Sequence, residues 1–257
     1  AKIHFTGSTR VGKLLMDGAS KTVTRLSLEL GGNAPVLIFP DVDLDAVVAG
    51  ATAAKFRNGG QVCVSPQRFL IAKDAAPEFT ERLAAATGAL RLGDGLDPRT
   101  QVGPLINAKQ RDRVEALVAG AREGGARVAV GGTRPADRPA GYFYQPTVVS
   151  DLTPDAPLYR EEIFGPVLPV STFDGVEDAI AIANRTRYGL AAYVWTNHLP
   201  TALHVAERLE FGLVGVNEWT PQSTEAPFVG WKESGLGRES GAEGLEEYLE
   251  TKLIAIG

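Results

Sequence analysis

The sequence predicts an α/β fold in which helices flank a mostly parallel sheet. Two observations support this prediction: short apolar runs alternate with longer stretches whose apolar residues share a helical face, and 44% of the 257 residues are hydrophobic. Regular alternation of strand and helix is typical of parallel strands joined by helical crossovers. A chain of this length and composition can bury a substantial core.

The strands are predicted from apolar or alternating runs, and the helices from apolar residues three and four positions apart. The predicted strands are 2–5, 26–30, 36–39, 68–71, 127–130, 143–149, 166–173, 190–195 and 212–216. The predicted helices are 11–20, 43–58, 75–90, 107–123, 176–186 and 199–209. The second of these begins at Asp41 or Asp43, because either side chain can accept hydrogen bonds from the first free N–H groups.

Charge and cysteine content narrow the classes of function. The formal net charge is −5 and Lys and Arg form no cluster, so neither nucleic acid nor an anionic membrane is an expected partner. A single cysteine excludes an intramolecular disulfide and favours a reducing compartment, which predicts a cytoplasmic location. No apolar run reaches membrane-spanning length, and residues 1–10 lack the zones of a signal peptide. Because Ala1 stands directly before a strand, we expect a truncated product or a fragment.

The stretch Lys55–Pro66 holds the only cysteine, Cys63, just after the pair Gly59-Gly60. Glycines allow the backbone to approach a ligand closely and Pro66 fixes the chain again, which indicates a shaped loop. Shaped loops often carry binding or catalytic groups. A lone cysteine is nevertheless more often an inert buried side chain, so both roles stay open from these residues alone.

Two further stretches hold candidate polar groups. Glu29 interrupts an apolar strand close to its end, where it is either a solvated surface carboxylate or a functional acid. Ser8 or Thr9 caps the first helix directly after Gly7, and this arrangement aims free N–H groups at whatever lies above. Such a helix start suits a dinucleotide phosphate, although an ordinary capped helix has the same pattern.

Five motifs in order resemble the NAD(P)-dependent aldehyde dehydrogenase superfamily. They are Phe5–Gly12, Leu28–Pro35, Gly60–Cys63, Glu161–Pro166 and Pro227–Gly235, and the resemblance runs from residue 5 to about residue 252. It implies that Cys63 is the nucleophile, that neighbouring backbone N–H groups stabilise the oxyanion, and that Glu29 is the general base for hydrolysis of a thioester. It also implies NAD or NADP as cofactor, with an aldehyde as the small-molecule substrate.

The resemblance assigns cofactor and substrate contacts residue by residue. The cofactor residues are Gly7, Ser8, Gly12, Leu30, Glu162 and Phe164, with Glu162 on the nicotinamide ribose; without the family, Glu162 is equally a solvated charge. Phe56-Arg57-Asn58 resembles the succinate-semialdehyde dehydrogenase branch. In that branch, Arg57 and Ser223 would hold a distal carboxylate and Phe228 would line the aldehyde pocket. A surface arginine is the alternative for Arg57.

Three departures from the family pattern affect this assignment. Ser65 stands where the branch has a second cysteine, and the usual glycine pair after Phe228 is Val229-Gly230. The stretch 219–222 adds bulk and polarity, which leaves room for a longer or aromatic semialdehyde acid.

The stretch 232–238 is interpreted as a flexible charged turn. The three histidines have no partners at metal-ligand spacing, so no metal site is expected.

The resemblance also implies a domain division and an assembly. Residues 1–30 would end a cofactor-binding domain, and 31–233 would form the catalytic domain. The stretch 234–249, with a helix of about 241–249, would return to the cofactor domain. Residues 250–257 would add an edge strand to a partner subunit. A homo-oligomer, dimer or tetramer, is implied for the full-length protein. The alternative is a catalytically incomplete fragment that acts only in folding or subunit association.

Overall fold

The computed structural model describes residues 2–257, so the first residue of the predicted 1–30 segment lies outside it. The predicted α/β fold is confirmed. The strands are β1 (Lys2–Thr6), β2 (Arg25–Glu29), β3 (Ala34–Ile38), β4 (Pro66–Ala72), β5 (Arg127–Val130), β6 (Thr147–Ser150), β7 (Val167–Phe173), β8 (Tyr188–Gly189), β9 (Ala191–Trp195), β10 (Leu213–Val216), β11 (Trp231–Lys232) and β12 (Gly235–Leu236). The helices are α1 (Thr9–Ser20), α2 (Leu44–Phe56), α3 (Ala76–Gly88), α4 (Ala108–Glu123), α5 (Pro157–Arg160), α6 (Val176–Asn184), α7 (Leu199–Arg208) and α8 (Gly241–Glu246).

Local hydrogen bonds explain where α2 begins. Asp43 is the residue before the helix, and its Oδ1 accepts from the N–H groups of Asp45 and Ala46 at 3.0 and 3.2 Å. Asp41, the other candidate, instead accepts from the Thr196 hydroxyl at 2.9 Å. Two aspartates of equal capping tendency therefore have different roles, because only Asp43 lies beside the first turn.

Seven strands form the main sheet, in the order β10-β9-β3-β4-β7-β6-β5. Neighbouring strands are parallel except for the pair β5 and β6. Helices α2 and α3 cover one face, α6 and α7 cover the other, and α4 and α5 pack near β6 and β7. Burial on both faces explains why β3 has an uninterrupted apolar sequence with every residue buried.

A smaller sheet consists of β1, β2 and β12, with β1 and β2 parallel and β12 antiparallel to β2. In the smaller sheet, β1 ends beside Gly7 and β2 ends at Glu29. In the main sheet, β3 begins shortly after Gly32, β4 shortly after Cys63, and β7 shortly after Glu162. The motifs singled out in the sequence therefore stand at strand ends that meet between the two sheets.

Two expectations about the chain course were wrong. The strand predicted over 143–149 begins only at Thr147, because Pro146 has no N–H to donate to a sheet ladder. The stretch 232–238 is not a flexible turn, since it contains β12 and the end of β11, and Ser234 between them is 0% exposed.

The carboxyl-terminal segment lies against the smaller sheet. Nζ of Lys2 on β1 donates to the Glu247 carboxylate at 2.7 Å, and the Tyr248 hydroxyl lies 2.7 Å from a ring nitrogen of His4. Residues 251–257 have no regular secondary structure and are exposed, so the edge strand toward a second subunit stays a prediction. Among residues 2–257, no helix combines the length and apolarity that a bilayer span requires.

Candidate active site

A cavity of about 670 Å³ lies where the two sheets meet. Seven of the predicted site residues line it: Gly7, Ser8, Glu29, Leu30, Cys63, Glu162 and Phe164. Four others, Gly12, Arg57, Ser223 and Phe228, are not among its lining residues. The structure thus brings the predicted catalytic pair and most of the predicted cofactor residues into one space, although they come from segments far apart in the sequence.

The loop before Cys63 has a backbone that few sequences permit. Asn58, Gly59 and Gly60 have φ values of 52°, 61° and 74°, in the left-handed region. At Gly60 a Cβ atom would overlap the carbonyl group of Gly165, so a side chain has no room there. Asn58 and Gln61 then exchange side-chain-to-carbonyl hydrogen bonds, both of 3.0 Å, which fixes the turn that presents Cys63.

Cys63 is partly exposed and its thiol faces both acidic residues of the cavity. Burial raises the pKa of the thiol, the negative charge of Glu162 raises it further, and Glu29 adds a smaller effect. The backbone N–H groups of Val64 and of Cys63 itself lower that pKa in part. The resting thiol therefore holds its proton, and a nearby base has to remove it before the sulfur can act as a nucleophile.

Glu29 is 4% exposed, and its Oε2 has no hydrogen-bond partner within residues 2–257. Burial, followed by the negative charge of Glu239, raises the pKa of Glu29 to about 8. Glu239 is itself bonded to His4 across 2.5 Å. A carboxyl group with a pKa in this range can accept and release protons near neutral pH, as a general base requires.

Glu162 is anchored on one side and faces the cavity on the other. Its Oε1 accepts from the N–H of Gly32 at 3.0 Å, and its Oε2 lies only 2.6 Å from the position that a Cβ of Gly31 would occupy. Burial raises the pKa of Glu162, and the Gly32 N–H and the cation of Arg113 oppose that shift. A carboxylate placed in this way can accept hydrogen bonds from ligand hydroxyl groups.

The segment that follows Glu162 is held by α4. Phe164 has a φ of 50°, and Gln110 donates to the carbonyl oxygens of Ile163 and Phe164 at 3.0 and 2.7 Å. Arg113 donates to the carbonyl oxygen of Glu162 at 2.9 Å. A left-handed conformation in a bulky residue is strained, so these hydrogen bonds are what hold the Phe164 ring at the cavity.

The first turn of α1 offers free donors at the same cavity. Ser8 caps the helix, as predicted, by accepting from Val11 at 3.4 Å. The N–H groups of Thr9 and Arg10 have no protein acceptor among residues 2–257. Gly12 does not line the cavity, and a Cβ at this position would stand 2.6 Å from the Leu30 side chain. Its part is therefore to let α1 pack closely.

None of the three predicted substrate residues lines this cavity. Arg57 is exposed, has no ion pair in the described range, and lies near Tyr193. Ser223 is exposed beside Glu225. Phe228 packs against the core cluster that also contacts Cys63, and its backbone pairs with that of Glu239.

Trp219 corrects one expectation about the pocket. The centre of its indole lies 4.6 Å from that of Trp195, with the rings tilted by 31°, and 5.7 Å from the ring centre of Tyr193. The side chain is partly buried and packs against the main core. A Cβ at Gly50 on α2 would collide with the indole, so the ring fills the space that this glycine leaves. Trp219 therefore adds bulk to the core and not to the cavity.

Several cavity residues were missed by sequence reasoning. They are Thr6, Thr9, Arg10, Gly31, Gln61, Val62, Gln110, Arg113, Arg187 and Tyr188. Arg113 and Arg187 resemble any surface arginine in the sequence, because only tertiary packing brings them beside Glu162. Six of the missed residues lie inside motifs already quoted, so position within a motif was the signal available for them: Thr6, Thr9, Arg10, Gly31, Gln61 and Val62.

Comparison with known proteins gives a consistent result. The profile of the aldehyde dehydrogenase family matches residues 1–254. A succinate-semialdehyde dehydrogenase of Paenarthrobacter nicotinovorans is 54% identical over 255 residues, which are 99% of this chain and 56% of that protein. The NADP(+) succinate-semialdehyde dehydrogenase of Escherichia coli K12 is 46% identical over 256 residues, covering 100% of this chain and 53% of that protein.

Solved structures agree. Lactaldehyde dehydrogenase from Escherichia coli superposes with a TM-score of 0.95 at 38% identity, covering 99% of this chain and 53% of that one. Betaine aldehyde dehydrogenase from Staphylococcus aureus, solved with NAD+, superposes with a TM-score of 0.94 at 39% identity, covering 97% and 50%. The chain spans about half the length of the relatives it matches. On the match over residues 1–254 and these identities, the chain belongs to the aldehyde dehydrogenase family.

Proposed function

We propose that this chain provides the catalytic residues of an enzyme that oxidises an aldehyde to a carboxylic acid with NAD or NADP. One observation carries the proposal: Cys63, in the loop before β4, and Glu29, at the end of β2, line the same cavity, and Glu29 has a pKa of about 8. A thiol beside a carboxyl group that exchanges protons near neutral pH is the pair that covalent acyl chemistry needs.

The first half of the reaction uses Cys63. Ionised Glu29 takes the thiol proton, and the sulfur then adds to the aldehyde carbon, which becomes tetrahedral. The N–H groups of Cys63 and Val64, which already face the sulfur, stabilise the oxyanion. Each such donor typically lowers the barrier by ~3 kcal/mol. A bound nicotinamide cofactor supplies the hydride acceptor, and loss of hydride leaves a thioester on Cys63.

The second half uses Glu29 again. After its proton has passed to solvent, the carboxylate takes a proton from water, and the resulting hydroxide attacks the thioester carbon. The carbon–sulfur bond breaks, so the acid leaves and the Cys63 thiolate returns. Glu29 is nearly fully buried, which excludes bulk water from the base and allows one positioned molecule to react.

The residues of this chain fit one side of a dinucleotide cofactor. The free N–H groups of Thr9 and Arg10 at the start of α1 suit a phosphate, and Glu162, anchored by Gly32, suits the hydroxyls of a ribose. The betaine aldehyde dehydrogenase of Staphylococcus aureus was solved with NAD+, and the succinate-semialdehyde dehydrogenase of Escherichia coli K12 is named for NADP(+). Both cofactors therefore stay within the proposal.

For the substrate, we propose a semialdehyde that carries a carboxylate, such as succinate semialdehyde. Seven relatives, 46–54% identical, are named succinate-semialdehyde dehydrogenases, one of them as probable. The exposed guanidinium of Arg57 has no ion pair in the described residues. A relative 43% identical is a 3-sulfolactaldehyde dehydrogenase, so a sulfonate is the anion to test beside the carboxylate. Arg57 and Ser223 would hold the distal anionic group of the substrate, and Phe228 would line the aldehyde pocket.

The proposed domains follow the two sheets. Strands β1 and β2 support a separate segment up to about residue 30, and the seven-stranded sheet lies within 31–233. Residues 234–249 return to the smaller sheet through β12 and Glu247.

Exposed Leu253, Ile254 and Ile256 support a subunit contact at 250–257, and we propose a homo-oligomer. The single cysteine supports a cytoplasmic location.

The decisive experiment assays the complete gene product with succinate semialdehyde, a sulfonated aldehyde and a neutral aldehyde of equal length, each with NAD+ and NADP+. Reduced cofactor should form with the carboxylated substrate, and Cys63→Ser should abolish its formation. No turnover with any aldehyde would overturn the proposal. The same assay on the 257-residue chain tests the alternative of an incomplete fragment, since robust turnover there excludes it.

A further inference from the structure

Gln67 on β4 is a buried polar side chain that the proposed mechanism does not use, although it follows Cys63 closely in the chain. The residue is 3% exposed. Its Oε1 accepts from the N–H of Ile163 at 2.7 Å, and its Nε2 donates to the carbonyl oxygen of Gly32 at 3.3 Å. Nε2 also donates to Oδ1 of Asn33 at 3.3 Å. The side-chain amide thus has a partner for its oxygen and for both of its N–H groups.

These hydrogen bonds close a ring around Glu162. The N–H of Gly32 donates to Oε1 of Glu162 at 3.0 Å, while the carbonyl oxygen of Gly32 accepts from Gln67. Ile163 directly follows Glu162, so Gln67 binds the N–H end of the peptide group between these two residues. The carbonyl end of the same peptide group accepts from Arg113 at 2.9 Å. Arg113 and Gln67 therefore hold this peptide group from its two ends.

A register shift in the main sheet explains how the Gln67 side chain reaches these partners. Ala34 of β3 pairs with Pro66 of β4, and the next residue of β3, Pro35, pairs with Arg68. Gln67 therefore falls at the shift and has no partner on β3. Prolines donate no N–H to a ladder, and a bulge of this kind redirects the side chain of the extra residue.

The two backbone groups that Gln67 binds depend on it. Gly32 and Ile163 are both buried. Within residues 2–257, Gln67 is the one hydrogen-bond partner of the Gly32 carbonyl oxygen and of the Ile163 N–H. A methionine at position 67 would be of similar length but could bind neither group, so the segments on both sides of the Glu162 carboxylate would lose their shared tie.

We propose that Gln67 is a positioning residue that fixes the direction in which Glu162 presents its carboxylate to the cavity. The inference rests on the proposed function, in which Glu162 binds a ribose of the cofactor. Gln67 does not itself line the cavity, so it acts through Glu162. A carboxylate that is already held in place loses less conformational freedom when the ligand binds, which strengthens binding.

The test is a double-mutant cycle in the complete gene product: wild type, Gln67→Met, Glu162→Gln and the double variant. Calorimetry gives the Kd for NAD+ and NADP+. Gln67→Met should weaken binding roughly three- to tenfold when Glu162 is present, as expected for the loss of about one net hydrogen bond. In the Glu162→Gln background the same change should cost less than about twofold. Equal losses in both backgrounds would make Gln67 merely structural and overturn the inference.

Thr147→Val is the matched control for the cycle. The Thr147 hydroxyl accepts from the N–H of Gly132 at 2.8 Å and donates to the carbonyl oxygen of Gln145 at 2.7 Å. Thr147 is 0% exposed and lies on β6 of the same sheet, but it does not line the cavity. This variant should leave the Kd unchanged, and a loss as large as that of Gln67→Met would contradict a specific role for Gln67.

A second readout separates Glu162 from the rest of the site. Gln67→Met should slow the single-turnover formation of reduced cofactor, because the cofactor is held less well in register with the substrate. Alkylation of Cys63 by iodoacetamide without cofactor should stay within about twofold of the wild-type rate, since the thiol itself is untouched. If alkylation changes as strongly as the hydride step, the substitution disturbs the whole site and the inference fails.

Gln67→Glu is the second variant if Gln67→Met does not fold. In its neutral form the new carboxyl group can accept from Ile163 and donate to Gly32, as the amide does. Once ionised it cannot donate, and it repels Glu162. The Kd relative to wild type should therefore be near one at low pH and rise as pH increases. The cavity groups Glu29, Cys63 and Glu162 titrate in both proteins, so a ratio independent of pH would overturn the inference.

Hydrogen exchange tests the positioning of Glu162 without any cofactor. In a folded variant that lacks the Gln67 amide, the N–H of Ile163 should exchange at least about tenfold faster by NMR. The N–H of Gly32, which binds the Glu162 carboxylate, should also exchange faster, and an unchanged Gly32 rate would contradict the proposal. A wild type that binds neither NAD+ nor NADP+ would sink the proposed function, whereas this measurement would still decide whether Gln67 holds Glu162.

Discussion

The hydroxyl of Ser234 donates a 2.7 Å hydrogen bond to the carbonyl oxygen of Gly31 and accepts one of 2.9 Å from the N–H of Gly189. The backbone oxygen of Ser234 accepts from Leu30 at 2.9 Å. One buried residue thus joins the end of β2, which carries Glu29, to β8 beside the main sheet. The relative position of the two catalytic candidates depends on this junction.

Ser234→Ala should lower the free energy of unfolding by roughly 1–3 kcal/mol, because it leaves the buried Gly189 N–H without an acceptor and the Gly31 carbonyl oxygen with one donor fewer. Urea unfolding followed by tryptophan fluorescence measures the change. Ser20→Ala removes an exposed hydroxyl on α1 and is the matched control. A loss at Ser234 no larger than that at Ser20 would contradict the role of the junction.

Substitution of the two catalytic candidates should stop the reaction at different steps. Glu29→Gln keeps the thiol, so a single burst of reduced cofactor should precede slow turnover, whereas Cys63→Ser should give no burst. Stopped-flow absorbance of the reduced cofactor separates the two. Steady turnover of Glu29→Gln at the wild-type rate would mean that another group is the base.

The pH profile of thioester hydrolysis should report Glu29. Burial places its pKa at about 8, and the base acts only when deprotonated, so the rate should rise with pH and level off above about 8. Below that pH the rate should fall about tenfold per unit, as for one titrating base. Single-turnover decay of the thioester measures this. A profile that is flat between pH 6 and 9 would exclude Glu29 as the titrating base.

Gly60→Ala should disturb the loop that presents Cys63. Its φ of 74° is unfavourable for alanine, and the added Cβ would meet the Gly165 carbonyl group. We expect a loss of roughly 1–3 kcal/mol in stability, together with a changed rate of Cys63 alkylation by iodoacetamide. Gly95→Ala, where a Cβ meets nothing within 4 Å, should change neither quantity.

Arg57→Ala should discriminate between substrates. Loss of a charge-assisted contact of ~1.5–3 kcal/mol corresponds to a roughly 10- to 150-fold rise in KM for a carboxylated semialdehyde. A neutral aldehyde of equal length is the control and should be little affected. Arg57→Lys should rescue only part of the loss, because lysine cannot form the two parallel hydrogen bonds of a guanidinium. Equal losses on both substrates would assign Arg57 to structure.

Much of the fold could be predicted because its signals are local. The capping hydroxyl of Ser8, the apolar run 36–39 and the glycine pair before Cys63 each act on neighbours in the chain. The strand predicted at 143–149 was wrong at a proline, where a local rule against strands outweighed apolar composition. Such features depend on backbone sterics and side-chain periodicity, which a sequence displays directly.

What the sequence by itself determined was the fold class, most element positions and, through motif order, the candidates Cys63 and Glu29. Only the tertiary structure decided that these two share a cavity, that Trp219 packs against the core beside Gly50, and that Ser234 joins the end of β2 to β8. The physical reason is range: burial, desolvation and charge pairing depend on distance in space, and segments remote in sequence set that distance only after the chain has folded.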